Sequence, residues 1–262
     1  MLQDAEIERA ARILLDHWNA ASRFAALPAG VQPADRREAY AIARRFGELR
    51  SGHVAGWKIA ATSAAGQRHI NVDGPLAGRI YADRLVPPGR PVPFVNNNMK
   101  VAEAEFAFRF GRALPPRAAP YGRDEVAAAV SALHLSIEIP DSRYEDFTRV
   151  GAGQLIADTA CASYLVLGPP VAANWRALDL ASQKVVGLRN GEKVAEGSGA
   201  NVLGHPLAAL TWLVNEVSAY CGGIGADQFV TTGTCIVPVA IASGDRVAAD
   251  YGALGALEAV IG

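Results

Sequence analysis

Lysine is scarce in this chain: only Lys58, Lys100, Lys184 and Lys193 stand among 25 basic residues, and the rest are arginines. Those 25 face 26 acids, a net charge of −1, so the basic stripe of a nucleic-acid footprint is missing. Charge, Gly or Pro breaks every apolar run well short of the ~18 residues that a spanning helix needs. The opening MLQDAEIERAARILLDHW mixes acids and bases and lacks the apolar segment of a signal peptide. Cys161, Cys221 and Cys235 are odd in number and have no CxxC spacing, which predicts buried thiols in a reducing compartment. The expectation is a cytoplasmic protein with neither nucleic acid nor membrane as a partner. Several catalytic signatures are also missing. No GxxxxGK[ST], GxSxG or HExxH occurs, and Gly222-Gly223-Ile224-Gly225 lacks the third glycine of a dinucleotide fingerprint. The five histidines are dispersed without ligand spacing, so zinc, nucleotide and serine-hydrolase chemistry are unsupported.

What is present is apolar. Half of the 262 residues are hydrophobic, 19% are charged, and the mean hydropathy is +0.12. Such a chain can bury one large core or two small ones and is not disordered. Helical spacing covers 4–24 through Ile7, Ala10, Ala11, Leu14, Leu15 and Trp18. It recurs over about 33–50 through Ala39, Tyr40, Ile42, Ala43 and Phe46. The pattern then turns to strands at 56–62, 101–110, 133–139, 163–168, 184–189, 193–197, 228–232, 236–241 and 246–250. Helices are expected at 123–134 and 206–221, and Arg189-Asn190-Gly191-Glu192 reads as a hairpin turn. The fold class is α+β: an N-terminal helical layer followed by a mostly β body. The expected division is a helical cap over 1–50 and a body over 51–262, forming one compact unit.

The segment Val101 to Phe110 has strict period two. Phe106, Phe108 and Phe110 share one face with Ala102 and Ala104, while Glu103, Glu105, Ala107 and Arg109 share the other. Neighbouring acids on one strand face are roughly 6.5–7 Å apart and repel unless they are solvated or share a cation. On 133–139 the leucines and isoleucines fill one face and His134, Ser136 and Glu138 line the other. Two readings remain open from pattern alone: a wet polar sheet face, or a pocket of carboxylates for a hard divalent cation. Lys58 poses the same choice. It is either a lysine snorkelling from a strand or a cation placed beside an anionic substrate.

Further residues carry a resemblance. In order these are Gly56-Trp57-Lys58-Ile59, Val72-Asp73-Gly74-Pro75-Leu76-Ala77-Gly78, Ala102-Glu103-Ala104-Glu105, Ile137-Glu138-Ile139-Pro140-Asp141-Ser142-Arg143 and Thr232-Gly233-Thr234. Asn190-Gly191, Gly197-Ser198-Gly199 and Gly204-His205-Pro206-Leu207 lie between the last two. Together they resemble the 2-keto-4-pentenoate hydratase (2-hydroxypentadienoate hydratase) family and its sisters, the 4-oxalocrotonate decarboxylases, within the fumarylacetoacetate hydrolase superfamily. The similarity spans roughly residue 35 to the C-terminus. It implies a mixed β-roll or barrel preceded by helices, with Glu103, Glu105 and Glu138 ligating Mg or Mn. It also implies acid–base and charge-positioning roles for Lys58 and Asp73, and a substrate-binding border that includes Thr234.

The activity implied is metal-dependent addition of water to a 2-hydroxy-2,4-dienoate, through its 2-oxo-enoate tautomer, in aromatic-compound catabolism. The alternatives are a 2-oxo acid decarboxylase or other lyase or hydrolase on the same site, and a non-catalytic structural partner subunit. The resemblance further implies a small 2-oxo acid substrate, a homo-oligomer, and room for association with a sister pathway enzyme. Two segments depart from the pattern. Asp158-Thr159-Ala160-Cys161 stands where relatives often have Asp-Asn-x-Ser, and Asn96-Asn97-Asn98 precedes the acid-bearing strand.

Overall fold

A computed structural model describes all of residues 1–262. The first elements are the expected helical pair, α1 (Asp4–Ala20) and α2 (Arg36–Arg50). Asp35 caps α2 by accepting from Glu38 N at 2.9 Å, and Ser51 closes the helix in the left-handed region. Ala10, Ala11, Leu14 and Trp18 of α1 bury against Ile42 and Phe46 of α2. The same cluster takes in Tyr81, Tyr144 and Ala157 from farther along the chain, so this pair shares a core with the elements that follow.

Those elements are β1 (Val54–Ala60), α3 (Ala64–His69), β2 (Leu76–Tyr81), β3 (Leu85–Val86), β4 (Pro91–Val92), β5 (Val101–Phe110) and α4 (Arg123–Ala129). Next come β6 (Val130–Ile139), α5 (Gly151–Ala157), β7 (Tyr164–Pro170), β8 (Lys184–Arg189), β9 (Glu192–Ser198) and α6 (Pro206–Tyr220). The chain ends with β10 (Phe229–Thr234), β11 (Val239–Ala240), β12 (Arg246–Asp250) and β13 (Ala256–Ile261). An eight-stranded mixed sheet runs β2-β1-β10-β5-β6-β7-β3, with β11 also pairing β5. A five-stranded sheet runs β4-β13-β12-β8-β9. The phenylalanine face of β5 packs towards the second sheet; Phe106 meets Tyr251 edge to face at 5.2 Å.

The α+β reading holds, and local differences have local causes. The helix expected over 123–134 stops at Ala129, where β-branched Val130 takes an extended conformation and opens β6. Of 236–241 only Val239–Ala240 pairs, because Pro238 has no N–H to donate to a ladder. The turn at Asn190-Gly191 has positive φ at both residues, as its sequence requires. Cys161 and Cys235 are buried, whereas Cys221, just past the end of α6, is only half-buried. No helix is long and apolar enough to cross a membrane.

Candidate metal centre and active-site cavity

The register of β5 against β6 builds the centre. Glu103 sits directly opposite Glu138, and Glu105, two residues along, sits opposite Ser136. Side chains of directly opposed antiparallel residues stand on one face, so three carboxylates are brought to one spot. One oxygen from each lies within 4.8 Å of the others. Glu105 and Glu138 are fully buried and Glu103 is half-buried, which rules out the wet-face reading. The backbone of Glu105 is pinned from two sides: Tyr251 Oη donates to its carbonyl at 3.0 Å and Ser136 Oγ at 3.2 Å. Gly233 N donates to Glu105 Oε2 at 2.9 Å. Gly233 itself has a φ of +91°, and a Cβ there would lie 2.2 Å from Thr62 Oγ1, so only glycine fits.

Lys58 projects from β1 into the same space and is buried, not snorkelling. Its Nζ stands 3.2 Å from Glu138 Oε1 and donates to Ala160 O at 3.1 Å. A covering layer explains the burial. Gly78 of β2 is the pairing partner of Lys58, and a Cβ on it would come within 1.8 Å of Thr159 O. Glycine there lets 159–161 lie across the sheet and roof the lysine. Thr159, Ala160 and Cys161 all have φ between +51° and +62°, a run that non-glycine residues rarely adopt. The roof is held by a buried pair. Arg143 Nε donates to Asp158 Oδ1, Arg143 Nη2 to Asp158 O at 2.9 Å, and Ser142 Oγ to Asp158 Oδ2 at 3.0 Å.

Electrostatics set the chemistry of the cluster. Burial pushes Glu103 up to about 7, against the pull of the Lys58 ammonium. Burial also raises Glu105 and Glu138, and for Glu105 the neighbouring anions add to the rise. For Lys58, burial alone would lower the proton affinity, but Glu138 and then Glu103 and Glu105 more than offset it, leaving a firmly charged ammonium. With all groups ionised, three carboxylates face one ammonium, an excess of two negative charges. Glu105 Oε1 and Glu138 Oε2 are buried without a hydrogen-bond partner, a costly state for carboxylate oxygens. An all-oxygen donor set with that charge and those orphaned atoms fits a hard divalent cation.

A cavity of about 450 Å³ opens beside the cluster. Lys58, Glu103, Cys161 and Thr234 line it, together with Ile70 and Met99. Thr234 Oγ1 donates to Ile236 O at 2.9 Å and accepts from Ile236 N at 3.4 Å, which ties the hydroxyl to its own loop at the cavity edge. Burial pushes the Cys161 thiol up to about 12, which keeps it neutral. Asp73 is not brought to this cavity. It is exposed on the loop before β2, in the field of Arg36, whose Nη2 donates to Pro75 O at 3.0 Å and holds that loop towards α2.

Sequence reasoning missed the Arg143–Asp158 clamp, although Arg143 ends a segment that carries the resemblance and Asp158 opens one that departs from it. It also missed the role of the asparagine run. Asn97 Nδ2 donates to Pro140 O at 2.9 Å and Asn98 Nδ2 to Tyr144 O at 3.0 Å, tying the entry to β5 to the exit from β6.

The model of the fumarylacetoacetate (FAA) hydrolase C-terminal family matches residues 69–262. The chain belongs to that family. A 4-oxalocrotonate decarboxylase of Pseudomonas putida is 33% identical over 216 residues, covering 82% of this chain and 80% of that protein. A 2-keto-4-pentenoate hydratase of Burkholderia vietnamiensis is 31% identical over 229 residues, 86% of each. Among solved structures, the 4-oxalocrotonate decarboxylase from Pseudomonas putida G7, complexed with magnesium and adipate, superposes with a TM-score of 0.89. It is 27% identical, and the match covers 100% of this chain and 99% of that one.

Proposed function

We propose that this chain is a divalent-metal-dependent lyase of 2-oxo acids. Its reaction is the hydration of a 2-hydroxy-2,4-dienoate to a 4-hydroxy-2-oxo acid, a step of aromatic-compound catabolism. The observation that carries this reading is the buried triad Glu103, Glu105 and Glu138, with its unpaired oxygens beside a charged lysine. Those three carboxylates would hold Mg or another divalent cation, which supplies Lewis-acid stabilisation of the negative charge that a 2-oxo acid develops as it reacts.

The chain's own residues do the rest. Lys58 is fixed by Ala160 O and Glu138, and its ammonium faces the cavity, where it neutralises a substrate carboxylate and holds a proton for transfer. Its rigid placement is the role of the roof at 159–161 and of the Arg143–Asp158 pair beneath it. Thr234 borders the substrate, and Ile70, Met99 and Ile236 shield the reacting atoms from bulk water. Asp73 is exposed on its loop and does not line the cavity, so the proton-holding role is assigned to Lys58.

Decarboxylation of a 4-oxalocrotonate-type acid is the second reading. It is favoured by the full-length superposition on a 4-oxalocrotonate decarboxylase. The two reactions develop the same negative charge and differ in whether water adds or carbon dioxide leaves. Coupled assays on hydroxypentadienoate and on oxalocrotonate, with and without EDTA and with added Mg, test the proposal. Turnover of a 2-oxo acid should stop on chelation and return with the cation. Undiminished activity in metal-free buffer would refute it.

A further inference from the structure

The charge census of the cavity bears on which acids it accepts. Lys58 is the only lysine or arginine among its lining residues, and it already lies against Glu138. The only lining acid is Glu103. Ile70, Met99, Ile236, Val237 and Pro238 form an apolar stretch of the remaining wall, and Thr62, Ser63, Asn201 and Thr234 are its uncharged polar side chains. The one other group that can carry positive charge is His69, exposed on α3 and set edge-on to Phe147. At about 450 Å³ the space exceeds what a five-carbon acid fills.

We propose that this cavity selects monocarboxylic 2-oxo acids with an apolar alkyl or aryl tail and discriminates against dicarboxylates. Ile70, Met99 and Ile236 are then the specificity-determining residues. This rests on the reading above, in which the 1-carboxylate and the 2-oxo group are taken by Lys58 and the cation site. With that end committed, the far end of the substrate meets hydrocarbon. A methyl or phenyl terminus gains from leaving water, by about three- to fourfold in affinity per methylene. A second carboxylate at that end has no fixed cation to meet, only hydrocarbon and uncharged polar groups, of which Asn201 Nδ2 and Thr234 Oγ1 already donate to Cys235 O at 2.7 Å and Ile236 O at 2.9 Å. Selection here therefore works by withholding a partner from the wrong substrate as much as by contact with the right one.

The test compares binding of two unreactive saturated acids of equal chain length, 2-oxohexanoate and 2-oxoadipate, to the Mg-loaded protein by calorimetry. The expected result is that 2-oxohexanoate binds at least about tenfold more tightly. Val237 is 73% exposed, so Val237→Arg places a cation on the cavity wall without disturbing the core. That variant should tighten 2-oxoadipate about fivefold or more, whereas 2-oxohexanoate should not gain. Equal or tighter binding of 2-oxoadipate by the unaltered protein overturns the selectivity proposal while leaving the 2-oxo acid reading intact. If Mg binds but neither acid does, the 2-oxo acid reading itself fails, and the selectivity proposal with it.

Discussion

The two faces of β5 are made from alternate residues of one strand, yet they are in opposite states. On one, Phe106, Phe108 and Phe110 are fully buried in a dense core that includes Tyr251 and Trp175. Every contact there is satisfied, and the face exists for stability. On the other, Glu103 and Glu105 oppose Glu138 across the ladder, with anions crowded and oxygens unpaired. That face is destabilising by itself and makes sense only as a place prepared for a ligand of opposite charge.

Substitutions on the two faces should therefore fail in opposite ways. Glu105→Gln keeps the shape and the Gly233 contact but removes one carboxylate of the proposed ligand set, so turnover should fall by about 10³-fold or more in steady-state assays while the folded state is kept. Phe106→Ala, the next residue, should cost about 3–5 kcal/mol in denaturant unfolding. Metal affinity at fixed folded fraction should change little. If Glu105→Gln unfolds the protein, or Phe106→Ala abolishes cation binding in still-folded protein, the division between the faces is wrong.

Lys58→Met sharpens the polar face further. Turnover should fall about a hundredfold while the cation stays bound, because losing the ammonium leaves the carboxylates more negative. Cation loss by calorimetry would contradict the assigned role. Acidity gives a smaller effect. Glu103 is raised by burial to about 7 and must be deprotonated to ligate, so protons compete with the cation below that pH and are displaced above it. The apparent Mg affinity should fall up to about tenfold per unit as pH drops below 7, and a flat profile would contradict the ligand assignment. The smallest effect is expected at Asp73→Asn, less than about threefold in turnover, since Asp73 is exposed and outside the cavity.

The legibility of the sequence followed the same contrast. β5 and β6 alternate strictly, so their faces, and with them the three acids, were readable at once. β2 is buried along its whole length and shows no alternation, and α5 carries two glycines that weaken the helical signal, so both escaped notice. β13 was also overlooked, although Leu257, Ala259 and Ile261 alternate cleanly inwards. The burial of Lys58 stays open on its strand pattern, which cannot reveal a roof laid down a hundred residues later. The roof itself is opaque to sequence, since Thr, Ala and Cys give no sign of positive φ. Asp73 sits inside a segment that carries the family resemblance, but its placement is set by the contact of Arg36 with the loop carbonyl of Pro75.

The most direct measurement is anomalous diffraction from crystals grown with Mn as a stand-in divalent cation. A single strong peak among the carboxylates of Glu103, Glu105 and Glu138, with Lys58 Nζ outside its coordination shell, is the predicted result. A peak elsewhere, or none at saturating Mn with the three carboxylates still clustered around Lys58, would contradict the account.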